Sequence, residues 1–112
     1  MSKKEEREAL RNYSMKFLEL SPVKESLLKY YETTYQAGAL DAKTKRLIAL
    51  CGGLVSGCKG CILGQAALAV QEGASAEELL ETCAVAMSLG GTMAWSHVSM
   101  VVEYLEESGL IE

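Results

Sequence analysis

Three observations predict an all-α fold of about six helices. Apolar residues recur three and four apart in successive segments, and no stretch alternates with the two-residue period of a half-buried strand. Cap and glycine residues punctuate those segments at Ser21, Gly38, Asp41, Gly73, Ser75 and Gly90-Gly91. The single proline, Pro22, stands where a helix would begin. With 112 residues, 49% hydrophobic and 23% charged, the chain reads as one folded domain, residues 1–112.

The first helix is expected from about Lys3 to Leu20, with Leu10, Tyr13, Phe17 and Leu20 on its apolar side. Ser21 then reads as an N-cap and Pro22 as the first helical residue of the second helix. That helix carries Val23, Leu27, Tyr31 and Tyr35 four apart and ends near Gly38. Asp41 caps the third, whose buried side holds Leu47, Leu50 or Cys51, Leu54 and Val55. Gly52 and Gly53 lie inside it, each costing about 1 kcal/mol relative to alanine. Such a cost points to close approach by a neighbouring backbone, or to a local kink.

The fourth helix is expected from about Gly57 to Glu72, stopping at Gly73. Ser75 and Glu78 form a capping box for the fifth, with Leu79 or Leu80, Cys83 and Met87 inside. Gly90-Gly91 breaks it from the sixth, about Thr92 to Glu107. That last helix has two apolar faces. Trp95, Val98, Val102 and Leu105 form one; Met93, His97, Met100 and Tyr104 form the other. A helix apolar nearly all round must be covered nearly all round, so a homo-oligomer with this helix in its interface is expected.

Composition narrows function. A net charge of −4 without a basic patch argues against nucleic-acid binding. The start, Met1 to Glu8, lacks the apolar run of a signal peptide, which points to the cytoplasm. Thr82 to Val102 has no charged residue and could span a membrane by length. Its serines, His97 and the Gly90-Gly91 break read instead as two buried helices, so no membrane partner is expected.

Chemistry concentrates in Ser56 to Gln65. Cys58 and Cys61 form a C-x-x-C pair where a helix is expected to start. With that start near Gly57, Cys58 falls in the first turn and shares a face with Cys61 and Gln65. The unpaired N–H groups and partial positive charge of a helix N-terminus favour the thiolate, the reactive form. Dithiol–disulfide chemistry is the leading reading. Buried small hydrophobes and a zinc site are the alternatives, and structural zinc wants four ligands. The other thiols, Cys51 and Cys83, sit on apolar faces and read as core, with a regulatory disulfide from Cys51 as a weaker option.

His97, the only histidine, reads as a hydrogen-bonded core or interface residue, or as a proton donor to the dithiol. Lys43, Lys45 and Arg46 crowd the start of the third helix and read as a solvated face. The alternative is that Arg46 turns inward toward the cysteines and stabilises a thiolate.

The ordered pieces Ser21-Pro22, Gly38 to Lys45, Leu47 to Leu50, Gly57-Cys58-x-x-Cys61, Glu72 to Glu78 and Gly90-Gly91 resemble the carboxymuconolactone decarboxylase / alkylhydroperoxidase D (AhpD-like) family. The resemblance covers residues 17–107. It implies an all-helical AhpD-like domain that assembles as a trimer or hexamer. For C-x-x-C members it implies thiol-dependent peroxide reduction or disulfide reduction, with no bound cofactor and an external protein thiol as reductant. That branch carries an upstream glutamate and a histidine four residues after the second cysteine. Here those positions hold Arg46 and Gln65, neither of which can relay a proton near pH 7. The resemblance assigns attack to Cys61 and resolution to Cys58, whereas the helix-terminus argument favours Cys58 as the more acidic thiol. Lactone or acid decarboxylation using His97 and Arg46, and a non-enzymatic binding oligomer, are the rival readings.

Overall fold

The computed structural model describes residues 2–112. Five helices follow one another: α1 (Lys3–Leu20), α2 (Lys24–Tyr35), α3 (Ala42–Ser56), α4 (Lys59–Gln71) and α5 (Ala76–Glu107). Gly91 interrupts α5 with φ 60° and ψ −144°, so six straight segments result, as the Gly90-Gly91 pair predicts. Only glycine takes such a backbone angle cheaply.

The helix ends follow local chemistry. Asp41 caps α3 through the Thr44 N–H at 2.7 Å. Ser75 and Glu78 form the expected reciprocal box at the start of α5. A similar box, Ser2 with Glu5, opens α1. Each such cap contributes about 1 kcal/mol. After α4, Gly73 turns left-handed (φ 92°) and Ala74 N–H returns to the Ala69 carbonyl. One start differs from expectation. Ser21 closes α1, its N–H reaching the Leu18 carbonyl, and α2 begins at Lys24 behind Val23. The Ser21 hydroxyl accepts from Val23 N–H instead of capping a helix at Pro22. The other end of α2 also falls short of Gly38, at Tyr35.

α3, α4 and α5 form the core. Leu50 and Leu54 of α3 meet Ile62, Ala66 and Ala69 of α4 and Leu79, Cys83, Ala86, Val101 and Leu105 of α5. Tyr104 joins them, while Met87, expected inside, is exposed and Ala86 takes its place. Leu79, not Leu80, is the buried leucine of the fifth segment.

Gly53 explains how tightly α3 and α4 meet. A β-carbon there would lie 3.0 Å from Cys61 Cβ and 3.2 Å from the Ile62 nitrogen. At Gly52 nothing lies within 4 Å. Of the two glycines expected to mark a close approach, one does.

α1 and α2 lie outside this core. Leu18 is the only buried residue of α1, and α2 has none. Tyr13 (76% exposed), Phe17 (63%) and Leu20 (80%), the face expected to turn inward, face away from the rest of the chain. The 3–4 spacing correctly marks an amphipathic stripe, but this chain alone does not cover it. The same holds for Trp95, 63% exposed on α5. α5 is long and apolar enough to cross a membrane, yet it is broken at Gly91 and packs one side against α3 and α4.

The two glycines of α3 should separate in a stability measurement. Gly53→Ala forces α4 away and should cost about 1–3 kcal/mol in urea unfolding. Gly52→Ala should stabilise by about 0.5–1 kcal/mol. Equal effects at both positions would contradict the packing described.

Candidate functional site

The turn between α3 and α4 builds the site. α3 ends at Gly57, left-handed at φ 73°, and its N–H and that of Cys58 both return to the Gly53 carbonyl. Cys58 then adopts an extended conformation as the N-cap of α4, so it stands just before the helix, not within its first turn. Its sulfur accepts a hydrogen bond from Cys61 N–H at 3.2 Å. Sulfur here does what a serine oxygen does at an ordinary N-cap. Cys58 and Cys61 are joined as a disulfide, Cα to Cα 5.2 Å. That separation is normal for a bridge. Cys58 is half-buried and Cys61 is exposed.

The bridge opens onto a cleft of about 450 Å³ under α1. Cys58, with Gly60, Cys61, Gly64 and Gln65 of α4, forms its floor. α1 supplies Arg7, Leu10, Arg11 and Met15, and α2 supplies Tyr31. α1 passes over Gly60, and Leu10 lies 4.0 Å from where a Gly60 β-carbon would be. α1 is also tied to α4 by charge. Glu6 pairs with Lys59, next to Cys58, and with Lys3 at 2.7 Å. The Lys3 and Lys59 hydrogen bonds hold the Glu6 carboxyl down to about 2.

Gln65 and Arg46 are brought together, contrary to the expectation of a solvated arginine. The Arg46 guanidinium lies 3.7 Å from the centre of the Tyr35 ring and donates to Gln65 Oε1 at 3.1 Å. Gln65 Nε2 donates to the Tyr35 hydroxyl at 3.4 Å. A cation over an aromatic face is favourable, more so for arginine, whose planar fork can stack and bond at once. Lys43 pairs with Glu78 at 2.8 Å, and Lys45 donates to the Thr34 and Gln36 carbonyls. The three cations that the helix dipole disfavours are therefore each held by a partner.

His97 reaches the same turn from α5. Its Nδ1 bonds the Met93 carbonyl at 2.8 Å, so that nitrogen carries the proton. The other edge of the ring, Cε1 and Nε2, stands 3.5 and 3.7 Å from where a β-carbon on Gly57 would be. Gly57 is required by its left-handed backbone angle, and the imidazole packs beside it at ordinary contact distance.

Cys51 and Cys83 are free thiols. Cys83 is buried, as expected, and burial followed by the nearby Cys51 pushes its thiol up to about 11. Cys51 is half-buried beside an apolar pocket with Leu47, Ile48 and Val85. Among the described residues, no three His, Cys, Asp or Glu side chains converge as metal ligands. Tyr35, Tyr31, Arg7 and Arg11 were not singled out as site residues from sequence. The four-residue spacing of each pair, which puts its members on one helix face, is the signal that could have found them.

Fold and site define a class: an all-α domain carrying a C-x-x-C disulfide at a helix N-terminus. Residues 22–104 match the family model described as carboxymuconolactone decarboxylase family. The chain belongs to that family. A crystal structure of TM1620 from Thermotoga maritima superposes with a TM-score of 0.82 at 34% identity, covering 91% of this chain and 90% of that one. A second structure of TM1620 (TM-score 0.73, 34% identity, 80% and 92% covered) is described as a carboxymuconolactone decarboxylase family protein, with a role in antioxidative response raised as a possibility. The family protein lpg0406 from Legionella pneumophila, in its apo form, gives a TM-score of 0.75 at 31% identity, covering 93% and 90%. Uncharacterized protein 4 in the cox locus of Paracoccus denitrificans is 32% identical over 85 residues, 76% of this chain and 77% of that one.

Two measurements follow from the charges and thiols. Glu6 titrates lower in the fold than its ordinary value of 4.5, so it stabilises the fold above that pH and loses the contribution as pH falls toward 2. The gap in urea midpoint between the native protein and Glu6→Gln should be constant from pH 5 to 8 and close below pH 4.5. In the reduced native protein, iodoacetamide at pH 8 should label Cys61 readily and Cys83 only on unfolding. Early labelling of Cys83 would contradict its burial.

Proposed function

We propose that this protein is a thiol-dependent oxidoreductase that reduces small peroxides through Cys58 and Cys61. The observation that carries the reading is the Cys58–Cys61 disulfide at the start of α4, open to a cleft on its Cys61 side. The antioxidative role raised for TM1620, which shares the fold at 34% identity, points the same way.

In the reduced enzyme the Cys61 thiolate attacks the terminal oxygen of a hydroperoxide. An S–O bond forms, the O–O bond breaks, and the departing alkoxide takes a proton to leave as an alcohol. The Cys58 thiolate then attacks the sulfur of the Cys61 sulfenic acid; the S–S bond forms, the S–O bond breaks, and the departing hydroxide takes a proton to leave as water. An external thiol reductant reopens the bridge. The exposure of Cys61 supports its role in attack, and the N-cap position of Cys58 suits it to ionise and resolve.

Arg46 and Gln65 occupy the positions of the relay glutamate and histidine in the C-x-x-C branch, and they serve as a rigid support. Arg46 acts on the pair through Gln65, orienting the amide at the rim of the cleft. The proton acceptor is assigned to His97, whose Nε2 is left free beside Gly57. The exposed stripe of Tyr13, Phe17 and Leu20, with Trp95, supports a homo-oligomer, a trimer or hexamer, in which further copies cover these residues.

Turnover of tert-butyl hydroperoxide driven by dithiothreitol tests the reading. Cys58→Ser and Cys61→Ser should each lower the rate at least about 100-fold, with far-ultraviolet circular dichroism unchanged. Turnover that survives both substitutions would end the assignment.

A further inference from the structure

We propose that the cleft over the disulfide is a carboxylate-binding site, and that the reductant it admits is a small thiol bearing a carboxylate group. This rests on the redox reading of Cys58 and Cys61. Arg7 and Arg11 lie one helical turn apart on the face of α1 that roofs the cleft. Among the described residues they are the only charged ones lining it. Among the described residues neither makes a salt bridge, although the chain carries 15 acidic residues against 11 basic ones. Glu6, the sequence neighbour of Arg7, is already held by Lys3 and Lys59, and Glu8, which lines a neighbouring hollow with Arg7, makes no salt bridge with it. The Arg7 Nε is buried, with no acceptor within hydrogen-bonding reach.

Two guanidinium groups lining one cleft without an anion between them suit a carboxylate, the acceptor whose geometry fits their planar fork best. The cleft is of small-molecule size, about 450 Å³, and Leu10, Met15 and Tyr31 add apolar walls beside the two cations. A molecule held by its carboxylate at Arg7 and Arg11 places a thiol a few bonds away at the exposed Cys61.

The reaction balances with two molecules of that thiol. The first, as thiolate, attacks Cys61 Sγ. A bond forms between the two sulfurs, the Cys58–Cys61 bond breaks, and Cys58 leaves as a thiolate that takes a proton. The second thiolate attacks the reductant sulfur of the mixed disulfide and releases Cys61. The two reductant molecules are oxidised to their disulfide, and the protein pair is reduced.

The sign of the salt effect separates this site from the field of the whole protein. A net charge of −4 should repel an anionic thiol, and added salt should then speed its reaction. A local cationic site predicts the opposite. The test is the rate of reduction of the Cys58–Cys61 bridge in the full chain by 3-mercaptopropionate, 2-mercaptoethanol and cysteamine, compared at equal thiolate concentration. At low salt 3-mercaptopropionate should be about fivefold to tenfold faster than 2-mercaptoethanol, with cysteamine slowest. The advantage should disappear in 0.5 M salt, about the concentration that screens surface charges, and in Arg7→Gln/Arg11→Gln.

An advantage that persists in the double variant, or a rate for 3-mercaptopropionate that rises with salt, would overturn the carboxylate site and leave the redox reading standing. A bridge that no thiol of any charge reduces would sink both. The salt dependence of the unaltered protein decides the matter if the double variant fails to fold.

Discussion

The absence of a side chain at Gly53 lets the first turn of α4 rest directly on α3, and the rest of the molecule is arranged around that contact. With Cys61 Cβ and the Ile62 nitrogen so near, the chain has only a few residues in which to leave one helix and enter the next. It does so by a left-handed turn at Gly57 and an extended residue at Cys58. The two sulfurs are thereby brought to bridging distance by backbone packing, on the side of α4 away from the core leucines. Ile62, Ala66 and Ala69 anchor the opposite side of the same helix among Leu50, Leu54 and Leu105. A site fixed by helix packing is held more precisely than one carried on a loop.

Around that fixed centre the neighbouring elements play different parts. α5 contributes an imidazole whose orientation is set by its own backbone carbonyl. α3 and α2 contribute a locked group, Arg46 over Tyr35 with Gln65 between them. These contacts are internal to the core side of the site. α1 and α2 form the outer wall and bury little; ion pairs join α1 to the core, and the Tyr35 and Lys45 contacts join the end of α2. Elements with little buried apolar contact open more readily than core helices. Access to the cleft is therefore governed by the least firmly attached part of the chain.

Much of this was legible in the residues, and what was not has a physical reason. Caps at Asp41 and Ser75, the stops at Gly73 and Gly91 and the bridging pair Cys58/Cys61 are set by local stereochemistry, which sequence carries directly. The start of α2 was misplaced because Ser21 had two local uses, and ending α1 took precedence over beginning the next helix. Periodicity marked Leu10, Tyr13, Phe17 and Leu20 as a stripe, but a stripe does not reveal whether its cover comes from the same chain. Arg46 was misread because its reason for turning inward, Tyr35, lies eleven positions earlier on a different helix. Contacts of that kind depend on tertiary placement, and no spacing rule announces them.

The hydrogen bond from Cys61 N–H to the Cys58 sulfur has a consequence for electron transfer. Reduction leaves a negative charge on that sulfur, at the positive end of the α4 dipole and in front of an amide already aimed at it. A bridged sulfur accepts that bond only weakly. The backbone thus stabilises the reduced state more than the oxidised one, which raises the protein's affinity for electrons without help from any ionisable neighbour.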